Sequence, residues 1–235
     1  MDHDDAIPGL DTGATIPASV AAQLRREILI GAIPPGSAIK ERDHAERLGI
    51  SRTPLREAVR ILAKEGLIVL RPQRSPVVAN PTLDEVRDEL AVLRIIEHAS
   101  GKIACESATV ADIERVAKLA GAVEAQYDSG DKIDVFNLDM ALHSAIVQAG
   151  HNAALIRTHR EYLQRLWRIR FLSARQRHER DRVLADHRGM AEALARRDAT
   201  ALQACISRHS AAMQTNIEAH FHREAGGDTT SLSGL

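Results

Sequence analysis

A helix-length stretch, SRTPLREAVRILAKEG from Ser51 to Gly66, runs directly into LIVLRPQRSPVVAN, and this junction constrains the N-terminal third more than any other feature. Leu55, Ala58, Val59 and Leu62 form one apolar stripe at helical spacing, leaving Arg56, Arg60 and Lys64 on other faces. Thr53 is the expected cap, with Pro54 as the first helical residue, where a missing N–H costs nothing. Gly66 ends the helix. The continuation predicts two short strands, Leu67 to Leu70 and Pro76 to Ala79, around a basic tip.

Upstream, Val20, Leu24 and Ile28 recur at helical spacing after a plausible cap at Ser19, and Gly31 supplies a stop. IPPGSAIK reads as a turn with a short extended piece, and a second helix is expected from Glu41 to Leu48, closed by Gly49. Three helices followed by a small hairpin make a winged helix-turn-helix, in which the third helix enters the major groove and the wing meets the backbone. Arginine suits that role because its planar fork matches both phosphate and the O6 and N7 acceptors of guanine. A solvated charged helix face is the plainer account of the same residues.

Charge follows this division. Residues 1–14 carry four acids and no Lys or Arg, residues 15–80 carry eleven Lys or Arg against six acids, and the remainder carries twenty against twenty-two. A basic module joined to a nearly neutral body fits a polyanion-binding head with a separate second domain. No apolar run approaches the roughly 18 residues of a membrane span, and the acidic start is unlike a secretory signal, so a cytoplasmic protein with no membrane partner is expected. Cys105 and Cys205 lack metal-type spacing and are expected as packed, reduced thiols.

From Pro81 to about Arg223 the spacing predicts six helices in an antiparallel bundle, with no internal repeat. Thr82 and Glu85 form a capping-box pattern, Thr109 and Asp112 another, and Asp131 caps a third helix that Gly150 ends. Further helices are expected at about 152–175, 179–197 and 199–223. Polar residues interrupt these apolar stripes. Asp139 and His143 share a face with Val135, Leu142 and Ile146; His187 lies in a stripe with Val183, Leu184, Ala191 and Leu194; His209 lies with Leu202, Cys205, Ile206, Met213 and Asn216. Unpaired buried carboxylates and imidazoles are costly, so these groups should have partners. Any one of the histidines could be a hydrogen-bonded core residue, but one carboxylate and three imidazoles converging from three helices suit zinc, with nickel or manganese as alternatives. His98, His151, His159, His178, His220 and His222 lack such placement and are assigned to surface or packing roles.

The run RDHAERLGISRTPLREAVRILAKEGLI resembles the DNA-binding signature of the GntR bacterial transcription regulators over about Ile16 to Ala79. The resemblance implies that Arg42, Arg52 and Arg56 contact bases or nearby phosphates and that Thr53 contacts the backbone. His44 stands where the family usually has leucine and is expected to pack. The tip RPQRSP lacks the usual glycine, leaving Arg71 and Arg74 as phosphate binders. FNLDMALHSAIVQAGHN and ADHRGMAEALARRDATALQACISRHSAAM resemble the FCD ligand-binding domain of one GntR subfamily, the FadR type. That similarity implies Asp139, His143, His187 and His209 as ligands of zinc or another divalent ion, with a small organic acid beside it. Six helices rather than seven would match the VanR branch. Arg94 aligns with an arginine that such proteins often turn toward the effector carboxylate, and its alternative is a salt bridge to Glu97 or another acid. Asn216 is also expected at the effector.

The expected protein is therefore mainly α: a tail over 1–15, a winged helix-turn-helix over 16–79, an FCD-type metal- and effector-binding domain over 80–224, and a tail over 225–235, with both tails disordered. It is expected to be a homodimeric, ligand-responsive regulator, a repressor reading a pseudo-palindromic double-stranded operator, and not an enzyme. The alternatives are a metal-dependent hydrolase or lyase, and a regulator with a purely structural metal.

Overall fold

The computed structural model describes residues 15–174 and 179–225, so the expected tails and His178 lie outside or at the margins of the described residues. The chain divides between Asn80 and Pro81 into two compact units. In the first, α1 (Ile16–Leu29), α2 (Glu41–Arg47) and α3 (Arg52–Lys64) precede β1 (Ile68–Arg71) and β2 (Arg74–Val78). Val20, Leu24 and Ile28 of α1 meet Leu55, Ala58 and Leu62 of α3, and Ile39, Ile68 and Val78 complete the same buried cluster.

The first unit corrects two expected caps. Thr15, not Ser19, precedes α1; Pro17 sits in the first turn and Ser19 is buried inside the helix. Ser51, not Thr53, precedes α3. Pro54 is then the third helical residue, still tolerated because the first four helical N–H groups have no partner within the helix. Gly49 and Gly66 take φ of 65° and 71°, the left-handed conformation that lets α2 and α3 stop abruptly. The strands pair antiparallel, with Ile68 opposite Val78 and Arg71 opposite Arg74. At the tip, Gln73 adopts φ of 55°, doing without a side-chain-free residue where the sequence lacks glycine.

The second unit comprises α4 (Leu83–Ser107), α5 (Val110–Gln126), α6 (Lys132–Gln148), α7 (Ala153–Arg165), α8 (Trp167–Ala174), α9 (Arg180–Ala195) and α10 (Ala199–Ala225). Both capping boxes form, and Asp131 accepts from the N–H groups of Ile133 and Asp134. Seven helices stand among the described residues where six were expected, because the segment expected as one helix over 152–175 breaks at Leu166. Leu166 is fully buried and its N–H bonds back to Tyr162. Neither proline nor glycine marks the break, so it depends on packing. The helix count that favoured the VanR branch is accordingly not met.

The core of this unit joins Leu142, Ala145 and Ile146 of α6 to Met190 and Leu194 of α9 and Leu202 and Ile206 of α10. Gly189 permits close approach of α9 and α10: a Cβ there would lie 2.9 Å from Cys205 Sγ. The free cysteines Cys105 and Cys205 are both buried in this cluster. Among the described residues no helix is long and apolar enough to cross a membrane.

Candidate functional site

The stripes of α6, α9 and α10 bring Asp139, His143, His187 and His209 together. Each offers one ligand atom within 4.8 Å of the others. Asp139 and His143 are one turn apart on α6, which places Asp139 Oδ1 3.6 Å from His143 Nε2. His187 Nε2 lies 3.0 Å from Asp139 Oδ1. That is an ion-pair distance, yet neither atom is aligned for a hydrogen bond. The three histidines are 3%, 1% and 8% exposed in chain order.

The donor atoms pass a direct test of fit to a cation. Asp139 Oδ1, His143 Nε2, both ring nitrogens of His187 and His209 Nδ1 are buried without hydrogen-bond partners. Buried polar atoms are normally satisfied, so five such atoms in one cluster call for a missing partner. The protonation states agree with a positive one. Burial pushes His143 down to about 4, aided by the Arg170 charge. Burial likewise holds His209 well below its ordinary value, with His187 and His143 adding to the effect. Burial would raise Asp139, but the neighbouring imidazoles, His187 foremost, bring it well below the usual carboxylate range. A carboxylate with free imidazole lone pairs is the form that binds a divalent ion.

A feature the sequence reading missed lies behind this cluster. Glu97 of α4 is buried, with Oε1 3.6 Å from His143 Nδ1, 3.4 Å from His159 Nε2 and 3.6 Å from Arg170 Nη1. Burial opposes its ionisation, but the His159 hydrogen bond and the charges of His143 and Arg170 hold its carboxyl well below the ordinary range. The signal was present: Leu90, Leu93, Glu97, Gly101 and Ala104 follow one helical stripe, and Leu163, Leu166 and Arg170 another. His159, assigned to a surface or packing role, is 2% exposed and joins this network. The other described histidines are less enclosed; His151, for example, pairs with Asp112 at 2.9 Å.

Beside the four residues is a cavity of about 90 Å³ that Asp139, His187, His209 and Asn216 help to line. Asn216, expected at the effector, is on the wall of this cavity. Arg94, also expected at the effector, is exposed and lines a separate small crevice together with Leu90, Glu97, Met213 and Gln214. Among the described residues no ion pair joins it to Glu97. Although only three residues apart on α4, Glu97 turns into the core while Arg94 faces outward.

In the first unit, Arg42, Arg52, Thr53, Arg56, Arg71 and Arg74 are all exposed. Arg52 has no hydrogen bond or ion pair among the described residues, Arg56 is held by Glu41 at 2.7 Å, and Arg42 lies 3.5 Å from Asp43. Arg71 donates to the Ser75 carbonyl at 2.9 and 2.7 Å, which stiffens the wing tip. His44 is half-buried and not fully packed, with Nδ1 3.2 Å from the Arg47 guanidinium.

Residues 17–78 match the family described as bacterial regulatory proteins, gntR family, and residues 88–212 match the FCD domain. The chain belongs to the GntR family. It is a DNA-binding transcriptional regulator with an FCD domain, and the family is one of regulators, not enzymes. This GntR regulator is 27% identical over 186 residues to the HTH-type transcriptional repressor RspR of Escherichia coli K12, covering 79% of the chain and 82% of that protein. It is 25% identical over 189 residues to the HTH-type transcriptional regulator YdhC of Bacillus subtilis, covering 80% and 84%. The fold is shared with E. coli McbR/YncC, at a TM-score of 0.70 and 20% identity over 90% of this chain and 99% of that one. A GntR regulator from Rhodococcus sp. RHA1 gives a TM-score of 0.69 at 23% identity, over 86% and 97%.

Proposed function

We propose that this GntR regulator is a metal-dependent acid sensor that represses transcription. Asp139, His143, His187 and His209 would hold one divalent cation, and the three-nitrogen, one-oxygen donor set favours zinc, with nickel or manganese as the other candidates. The observation that carries this reading is the convergence of one carboxylate and three imidazoles in which five buried ring-nitrogen or carboxylate atoms make no hydrogen bond. Bound there, the ion would supply a positive charge and open positions for a carboxylate. The adjoining cavity gives a small organic acid a place to sit, with Asn216 on its wall.

The operator would be read by α3, with Arg52, Thr53 and Arg56 at the major groove, Arg42 nearby, and Arg71 and Arg74 on phosphates from the wing. Two copies would read a pseudo-palindromic site as a homodimer, since two linked heads gain affinity and register from their symmetry. Repression follows the name of the related RspR. Release by an acid requires that the acid bind the DNA-competent arrangement less well than the alternative one.

The test is metal analysis of the full-length protein, followed by operator binding with and without a panel of carboxylates. Stoichiometric metal, and an acid that weakens operator binding only in the metal-loaded protein, are expected. Protein that takes up no divalent ion, or whose operator affinity ignores every acid, would overturn the reading.

A further inference from the structure

The cavity contains a cation that the metal cluster does not use. Arg170, on α8, lines it and is 2% exposed, yet Nε and Nη1 lack hydrogen-bond partners. Its one ion-pair partner among the described residues is Glu97, at 3.6 Å from Nη1. A guanidinium has five donors, and burying them unmade is costly. Hydrophobic burial does not need an arginine at this point of α8, where Leu163 and Leu166 precede it and Phe171 follows. Its unmet donors call for an anion from outside the chain.

Charge neutrality says how many negative charges that anion should carry. Among the described residues of the second unit the buried charged side chains are Glu97, Arg170 and Asp186, with Asp139 largely enclosed. Asp186 and Glu179 balance Arg182 and Arg208, two acids against two arginines. Counting imidazoles as neutral, the form in which they bind a metal, Glu97, Asp139 and Arg170 leave one negative charge. A divalent cation turns that into one positive charge, and a single carboxylate brings the site to neutrality. A second carboxylate would leave an uncompensated buried charge, which is costly. Phe136, Phe171, Val135 and Met213 give this space an apolar side; of the other charged residues that line it, Arg182 is paired with Glu179 and Asp186, and Lys132 is exposed.

We propose that Arg170, not Arg94, receives the anionic end of the regulatory ligand, and that this ligand is a small monocarboxylate with an apolar body. The assignment rests on reading the cavity as a metal-linked acid site. A planar fork opposite a carboxylate gives paired charge-assisted hydrogen bonds, and the aromatic wall accepts the rest of the molecule. A diacid would bring a second negative charge to buried groups that one carboxylate already neutralises, with Arg182 already paired to Glu179 and Asp186.

Titration calorimetry on full-length, zinc-loaded protein tests this with butyrate and benzoate as monoacids, succinate and phthalate as diacids, and benzamide as a neutral analogue. In the natural sequence the monoacids should bind about tenfold or more tighter than the diacids, and benzamide should bind least. Arg170→Met should weaken monoacid binding by about tenfold to a hundredfold, the range for a charged hydrogen-bonded contact. Zinc content should stay stoichiometric, and unfolding should remain cooperative. If Arg170→Met does not fold, Arg170→Lys decides, since it keeps the charge but loses the fork and should still lose about tenfold. Equal monoacid binding by natural sequence and folded variant would sink the role of Arg170 while leaving the sensor intact. Diacids binding best would overturn the monoanion assignment. No acid binding to zinc-loaded natural protein, or no zinc at all, would instead bring down the sensor reading and this assignment with it.

Discussion

Glu97 and His143 face each other inside the bundle, Oε1 to Nδ1 at 3.6 Å, while the other nitrogen of the same imidazole turns to Asp139. A carboxylate on the outer nitrogen of a metal-binding histidine fixes its tautomer and orientation. Glu97→Gln should therefore lower zinc affinity by about 10–100-fold, measured by competition with a chelator of known affinity. Long-range proton–nitrogen NMR of the zinc form should show His143 protonated at Nδ1 in the natural sequence. Unchanged affinity in the variant would mean that Glu97 serves only Arg170 and His159.

The metal-free protein should be acid-sensitive in a defined window. His143 falls from 6.5 to about 4 on folding. Above pH 6.5 the imidazole is neutral in both states and contributes nothing. Between about 6.5 and 4 the unfolded chain takes up a proton that the folded chain refuses, so stability falls as pH falls, by on the order of 3 kcal/mol for this group. Below about 4 the depressed carboxyls of Asp139 and Glu97 take over in the same direction. Calorimetry of chelator-treated protein from pH 7 to 4 should show a falling Tm, and bound zinc should flatten the upper part of the decline.

Two exposed arginines of the first unit should separate base reading from phosphate binding. Arg52→Ala should weaken operator binding by about 1–3 kcal/mol and narrow the gap between operator and scrambled DNA. Arg74→Ala should weaken both about equally and reduce the salt dependence by about one counterion. Fluorescence anisotropy at several salt concentrations measures both. A uniform loss for Arg52→Ala would move that residue to the phosphate class.

Gly189→Ala should destabilise the second unit by about 1–3 kcal/mol, because the added Cβ would meet Cys205 Sγ at 2.9 Å. Combining it with Cys205→Ala should recover part of that loss, a coupling that thermal unfolding of the double-mutant cycle would read. Additive losses would show that α9 and α10 separate instead of clashing.

Local chemistry was legible in the order of the residues. The stripes of α1 and α3, the two capping boxes, the wing and the inward placement of Asp139, His143, His187 and His209 each follow from spacing within a single element, because helical and strand periodicities decide which side chains share a face. Tertiary packing decided the rest. The break at Leu166, the outward turn of Arg94 and the meeting of Glu97, His159 and Arg170 from α4, α7 and α8 all depend on how separate helices rotate against one another. A periodic sequence tells each helix which face is buried, but a buried charge finds its partner only when a second helix arrives in register.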